Sequence, residues 1–129
     1  MPLTSADALE LSKQFRELAN DLSNYRFSNW QTLTANQRRD LEDEEWSLLN
    51  AASDMITKAV GLALEESDTN FQAVKSSVGK AKKAVKKLEK VGQVIKVATA
   101  SVGLAAAIMA KDPGAIAKNA KLVAEAATA

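Results

Sequence analysis

The stretch "KAKKAVKKLEKVGQVIK" (Lys80–Lys96) runs directly into "VATASVGLAAAIMA" (Val97–Ala110), and the way the two are joined decides the fold. The first is one of the most basic runs in the chain, and the second holds no charge. We read both as parts of one continuous helix. From Phe71 onward, Val74, Val78, Ala81, Val85, Leu88, Gly92, Ile95, Thr99, Val102, Ala106 and Met109 follow alternating steps of three and four. A sustained period of about 3.5 residues marks coiled-coil-like packing. The expectation is a long spine helix over residues 69–110 with this stripe turned inward.

The opposite face of that helix changes character near Gln93. Before it stand Lys80, Lys83, Lys86, Lys87 and Lys90; after it stand Val94, Val97, Ala100, Leu104, Ala107 and Ile108. The helix is amphipathic first and apolar all round afterwards. A helix apolar on every side must be covered on every side, by its own chain, by a partner or by lipid. Val94, Val97, Thr99, Leu104, Ala107 and Ile108 are therefore the candidate contact surface, and the five lysines are a candidate basic face. Thr99, Gly103 and Ala107 add a row of small residues, a pattern that lets helices approach closely.

Working outward, a first helix spans residues 5–25, with Ala8, Leu11, Phe15, Leu18, Leu22 and Tyr25 on one face and Thr4 or Ser5 as its cap. "RFSNWQTL" (Arg26–Leu33) breaks the period and reads as a connection whose Phe27, Trp30 and Leu33 pack inward. Thr34 and Gln37 have the spacing of a capping box and open a second helix, expected to reach Glu66. Its stripe is Leu41, Leu48, Met55 and Leu62, widened by Trp46, Leu49, Ile56 and Val60. "SDTN" (Ser67–Asn70) separates it from the spine, capped by Asp68 or Thr69. "KDPG" (Lys111–Gly114) ends the spine, because proline cannot continue a helix but suits the first turn of the next. That last helix starts at Pro113, is capped by Asp112, and shows Ile116, Ala120, Val123 and Ala127 on one side. The expected fold is all-α, a single domain over residues 1–129: an elongated antiparallel bundle of about four helices ending in a helical hairpin.

The net charge of +1 hides an asymmetry. Residues 1–70 carry 6 Lys/Arg against 13 Asp/Glu, a balance of −7, and residues 71–129 carry 11 against 3, a balance of +8. An antiparallel pairing of the second helix with the spine accounts for this. It sets Asp40 to Glu45 opposite Val91 to Lys96 and lays an acidic helix along a basic one.

The chain has no histidine and no cysteine, which removes the usual nucleophile–base pairs, thiolate metal sites and disulfides. No phosphate-cradling glycine loop occurs, and "SSVGKAKK" (Ser76–Lys83) lacks its first glycine. The acids of "EDEE" (Glu42–Glu45) lack the spacing of a calcium loop and suit the positive end of a helix dipole. No catalytic, metal or cofactor residue is assigned, and no small-molecule substrate is expected. The lysines lack interleaved arginine or aromatic residues, so nucleic acid is not favoured as a partner. With no secretory signal and no cysteine, the cytoplasm is the expected location, and release by a non-classical route stays open.

What remains is a non-enzymatic helical interaction module that forms a homo-oligomer or binds a helical protein through the apolar half of its long helix. The alternative is a membrane-active protein, in which residues 97–110 and the "KDPG" turn enter lipid behind a lysine face. No apolar run reaches the roughly 18 residues of a spanning helix, so partial insertion is the form this alternative takes. In composition, residues 90–129 resemble the uncharged, alanine-rich hairpins of helical pore-forming toxin components; no individual residue is carried over from that resemblance. A third reading makes residues 94–110 plain core, wrapped by the other helices.

Overall fold

The computed structural model describes residues 5–57, 71–87, 90–110 and 112–128, and all its regular structure is helical. Five helices pack together: α1 (Ser5–Ser28), α2 (Ala35–Thr57), α3 (Phe71–Lys87), α4 (Val91–Met109) and α5 (Pro113–Thr128). The expected end of the second helix at Glu66, its Val60 and Leu62, the "SDTN" break and Leu88 of the stripe lie outside the described residues.

The first two helices form as their periods dictate. Ala8, Leu11, Phe15, Leu18 and Leu22 are fully buried on α1, and Leu41, Leu48 and Met55 are fully buried on α2. Ser12 also lies on the buried face of α1; its hydroxyl donates to the Ala52 carbonyl across the interface at 2.8 Å. The capping box that opens α2 is present in both directions. The Thr34 amide donates to Gln37 Oε1 at 2.9 Å, and the Gln37 amide donates to Thr34 Oγ1 at 3.1 Å. Asp112 caps α5 by accepting from the Ala115 amide at 3.2 Å. Ile116, Ala120 and Val123 then face inward, with Ala127 partly covered.

The spine is not one helix. Lys90 has extended backbone (φ −85°, ψ 118°) and stands as the N-cap of α4 with no side-chain cap bond, so a new helix begins at Val91. The packing order is a ring: α1 on α2, α2 on α4, α4 on α5, α5 on α3 and α3 on α1. Among the described residues α2 and α3 do not pack on each other at all. Of the expected α2–spine pairing only the part beyond the break is present: α4 lies along α2, where Thr99 Oγ1 reaches Glu44 Oε1 at 3.5 Å, whereas α3 does not. The α3 lysines turn to α1 instead. Lys75 pairs with Glu10 and Lys82 with Glu17, each at 2.6 Å. The constant separation of 65 residues makes α1 and α3 parallel.

The break also reverses the phase of the apolar stripe. Val74, Val78, Ala81 and Val85 of α3 face the core as expected. On α4, however, Gly92, Thr99 and Ala106 are exposed and Ile95, Val102 and Met109 only half-buried. The core face of α4 is Val94, Val97, Ala98, Ser101, Leu104, Ala105, Ala107 and Ile108. With both sides of this helix apolar, its neighbours α2, α5 and α3 choose which side goes in. Gly103 marks how closely α5 comes: a Cβ there would sit 2.8 Å from Asn119 Oδ1.

Candidate interaction surfaces

Of the six residues expected to form a contact surface on the spine, five belong to the chain's own core. Val94, Val97, Leu104 and Ile108 have no exposed area and Ala107 has 6 %; only Thr99 meets solvent. This corrects the expected surface, and the cause is the break at Lys90. The outward row of α4 is instead Gly92, Lys96, Thr99 and Ala106, bordered by Ile95, Val102 and Met109. Burial pushes the Glu44 carboxyl at the edge of this row above the usual range, against the pull of the Thr99 hydroxyl. With Lys96 counted in, α4 is long and apolar enough to cross a membrane by length and composition, at a mean hydropathy of 1.6 over 19 residues. The same helix supplies much of the core, as buried helices of soluble bundles do.

Four of the five lysines of the expected basic face lie on α3, while Lys90 stands beyond the break as the N-cap of α4. Lys80, Lys83, Lys86, Lys87 and Lys90 are all exposed, and none forms an ion pair among the described residues. Beside it, the ends of α1 and α3 enclose a polar cleft of about 480 Å³ that includes Asp21, Tyr25 and Lys86. Asp21 Oδ2 is buried there with no hydrogen-bond partner. Burial raises the Asp21 carboxyl above its usual value even though Lys86 and Lys82 draw it down.

The most developed surface is one that the sequence reading turned inward. At the corner between α1 and α2, Phe27 is 62 % exposed and Trp30 is 42 % exposed; farther along α2, Trp46 is 58 % exposed. Of Phe27, Trp30 and Leu33, only Leu33 packs inward as expected. Phe27 and Trp30 stack with ring centroids 5.9 Å apart and planes 11° from parallel. The Arg26 guanidinium lies over the Phe27 ring at 4.6 Å, and that of Arg38 lies over the Trp30 ring at 4.4 Å. Arg38 also donates through Nε and Nη2 to the Trp30 carbonyl, the Nε contact at 2.8 Å. Arg26 is held in turn by Glu45, Nε to Oε2 at 2.6 Å and Nη2 to Oε1 at 3.0 Å, with Glu42 at 3.6 Å. Trp46 follows Glu45 directly and lies one helical turn beyond Glu42. A hollow of about 370 Å³ opens between Phe27 and Thr32.

The stacked rings are therefore fixed in place by cations that are themselves anchored. The sequence carried a signal for this arrangement: "RF" at the end of one helix, and an arginine eight residues after Trp30 at the start of the next. Among the described residues no group of three or more Asp, Glu, His or Cys is placed to hold a metal ion. In comparison with known proteins, no family model, no curated protein and no solved structure matches this chain.

Proposed function

We propose that this chain is a non-enzymatic helical interaction module that binds a second copy of itself or another helical protein, with the contact centred on Phe27, Trp30 and Trp46. One observation carries the reading: both tryptophans of the chain are exposed, and one of them, Trp30, stands with Phe27 on a preorganised aromatic–arginine corner. Exposed large aromatics cost solubility and are enriched, together with arginine, where binding energy concentrates. A ring already held by Arg26 or Arg38 loses little further freedom on binding. The outward row of α4, small at Gly92, Thr99 and Ala106 and interrupted by Lys96, is a second flank on which a helix can lie.

The test uses the tryptophans themselves. Light scattering across a concentration series should show mass rising above the 13.8 kDa of one chain, with indole emission shifting to the blue as the rings leave water. Trp46→Ser and Phe27→Ser should weaken association and leave the melting temperature in place. A particle that stays at one chain's mass, with unshifted emission at every concentration, removes the second copy as the partner.

A further inference from the structure

We propose that the face shared by α3 and α5 docks peripherally on an anionic lipid bilayer. This goes beyond the aromatic corner, since it uses other helices and other chemistry. α3 and α5 pack side by side. α3 contains no acidic residue and presents Lys80, Lys83, Lys86 and Lys87 to solvent. α5 adds exposed Lys118 and Lys121 and a single acid, Glu125. Leu122, 43 % exposed, stands beside Lys121 as an apolar point among the cations.

Among the described residues, neighbouring helices neutralise only the edge of this face. Glu10 and Glu17 of α1 take Lys75 and Lys82, and Asp21 feels Lys86. The acidic first half of α2 is out of reach, because α2 does not touch α3 and packs on α1 and α4. A chain of net charge +1 is thus electrically two-sided, and a negatively charged plane orients it with α3 and α5 toward that plane.

The chemistry of the face selects the kind of partner. Past Phe71 at the start of α3, neither helix carries an aromatic residue, and neither carries an arginine. Bidentate base contacts and stacking platforms are therefore lacking, which disfavours nucleic acid. Lysines on flexible stems around a leucine suit a diffuse layer of anionic headgroups, where each contributes about fivefold in partition, the equivalent of about 1 kcal/mol.

The experiment is co-sedimentation of the full chain, dilute enough to be monomeric, with phosphatidylcholine vesicles and with vesicles that also contain phosphatidylserine. Binding is expected only to the second kind and should fade as salt shortens the screening length from about 8 Å to about 3 Å. Lys83→Ala with Lys87→Ala should weaken it about 25-fold, five for each lysine, with an unchanged melting curve. Lys83→Glu should weaken it strongly, whereas Arg39→Glu on the far helix, with the same change in net charge, should not. Phe27→Ser should leave vesicle binding intact, which separates this face from the aromatic corner. No binding, equal binding to both vesicles, equal loss with Lys83→Glu and Arg39→Glu, or binding to duplex DNA in place of vesicles would each overturn the proposal.

Discussion

Arg26 and Glu45 form a two-pronged, nearly buried ion pair between α1 and α2, with the residues 8 % and 6 % exposed. The pair does two jobs, joining the helices near their turn and presenting the guanidinium to the Phe27 ring. Glu45→Gln removes one charge and leaves Arg26 with Glu42 and water at the edge. The expected loss is about 2–3 kcal/mol, at the lower end for a broken buried pair. Urea denaturation of the two proteins measures it, and a loss below about 0.5 kcal/mol would show the pair to be solvated in effect.

The reversed phase of α4 makes a sharp contrast between neighbours. Leu104 has no exposed area, whereas Ala106 faces solvent. Leu104→Ala should cost about 2–5 kcal/mol, and Leu104→Glu should unfold the chain, because a carboxylate there has no partner. Ala106→Glu should leave the thermal melt within a few degrees of the parent. A folded Leu104→Glu protein with a melted Ala106→Glu protein would return the stripe to its sequence-derived phase.

Much of this bundle was legible before the fold was known, for reasons that also explain what was not. α1 and α2 each have one apolar and one polar side, so their periods carry a phase, and Leu11, Phe15, Leu41 and Leu48 fall where expected. The Thr34–Gln37 and Asp112 caps follow from local chemistry alone. Lys90 is different, since lysine is a good helix former and nothing in its side chain announces a break. Past it both faces of α4 are apolar, and a period without contrast cannot say which face is buried. Phe27 and Trp30 read as core because their rings are apolar, although the arginines that hold them outside are close in sequence.

The glycines of α3 and α4 separate two roles. A methyl at Gly79 meets nothing within 4 Å, so Gly79→Ala should stabilise the protein by about 0.5–1 kcal/mol through helix propensity. At Gly103 the same methyl runs into Asn119 Oδ1, and that side chain is tied by Nδ2 to the Ala115 carbonyl at 2.7 Å. Gly103→Ala should therefore show no gain or a loss, and adding Asn119→Ala should recover part of it. Chemical melts of the three variants decide this, and equal stabilisation at both glycines would mean that α5 does not approach α4 so closely.

The tie between α1 and α3 should reveal itself through pH. The Lys82 ammonium donates to Glu17 Oε2 at 2.6 Å and holds the Glu17 carboxyl below its usual value of 4.5, a pull only partly opposed by burial. A carboxylate with a depressed folded-state pKa stabilises the fold above its unfolded pKa, and that contribution is lost as pH falls through the folded value. Both side chains are partly solvated, so the contribution is that of a surface pair, about 0.2–1 kcal/mol. Glu17→Gln should lower stability by that amount at pH 7, and the gap between variant and parent should close once the solution is acidic enough to protonate Glu17 in both states. Asp21 should behave with the opposite sign. Its raised carboxyl penalises the fold once ionised, so Asp21→Asn should be slightly stabilising at neutral pH and without effect below the usual aspartate range. Stability curves for the two variants that run in the same direction with pH would contradict the placement of both carboxyls along the α1–α3 seam.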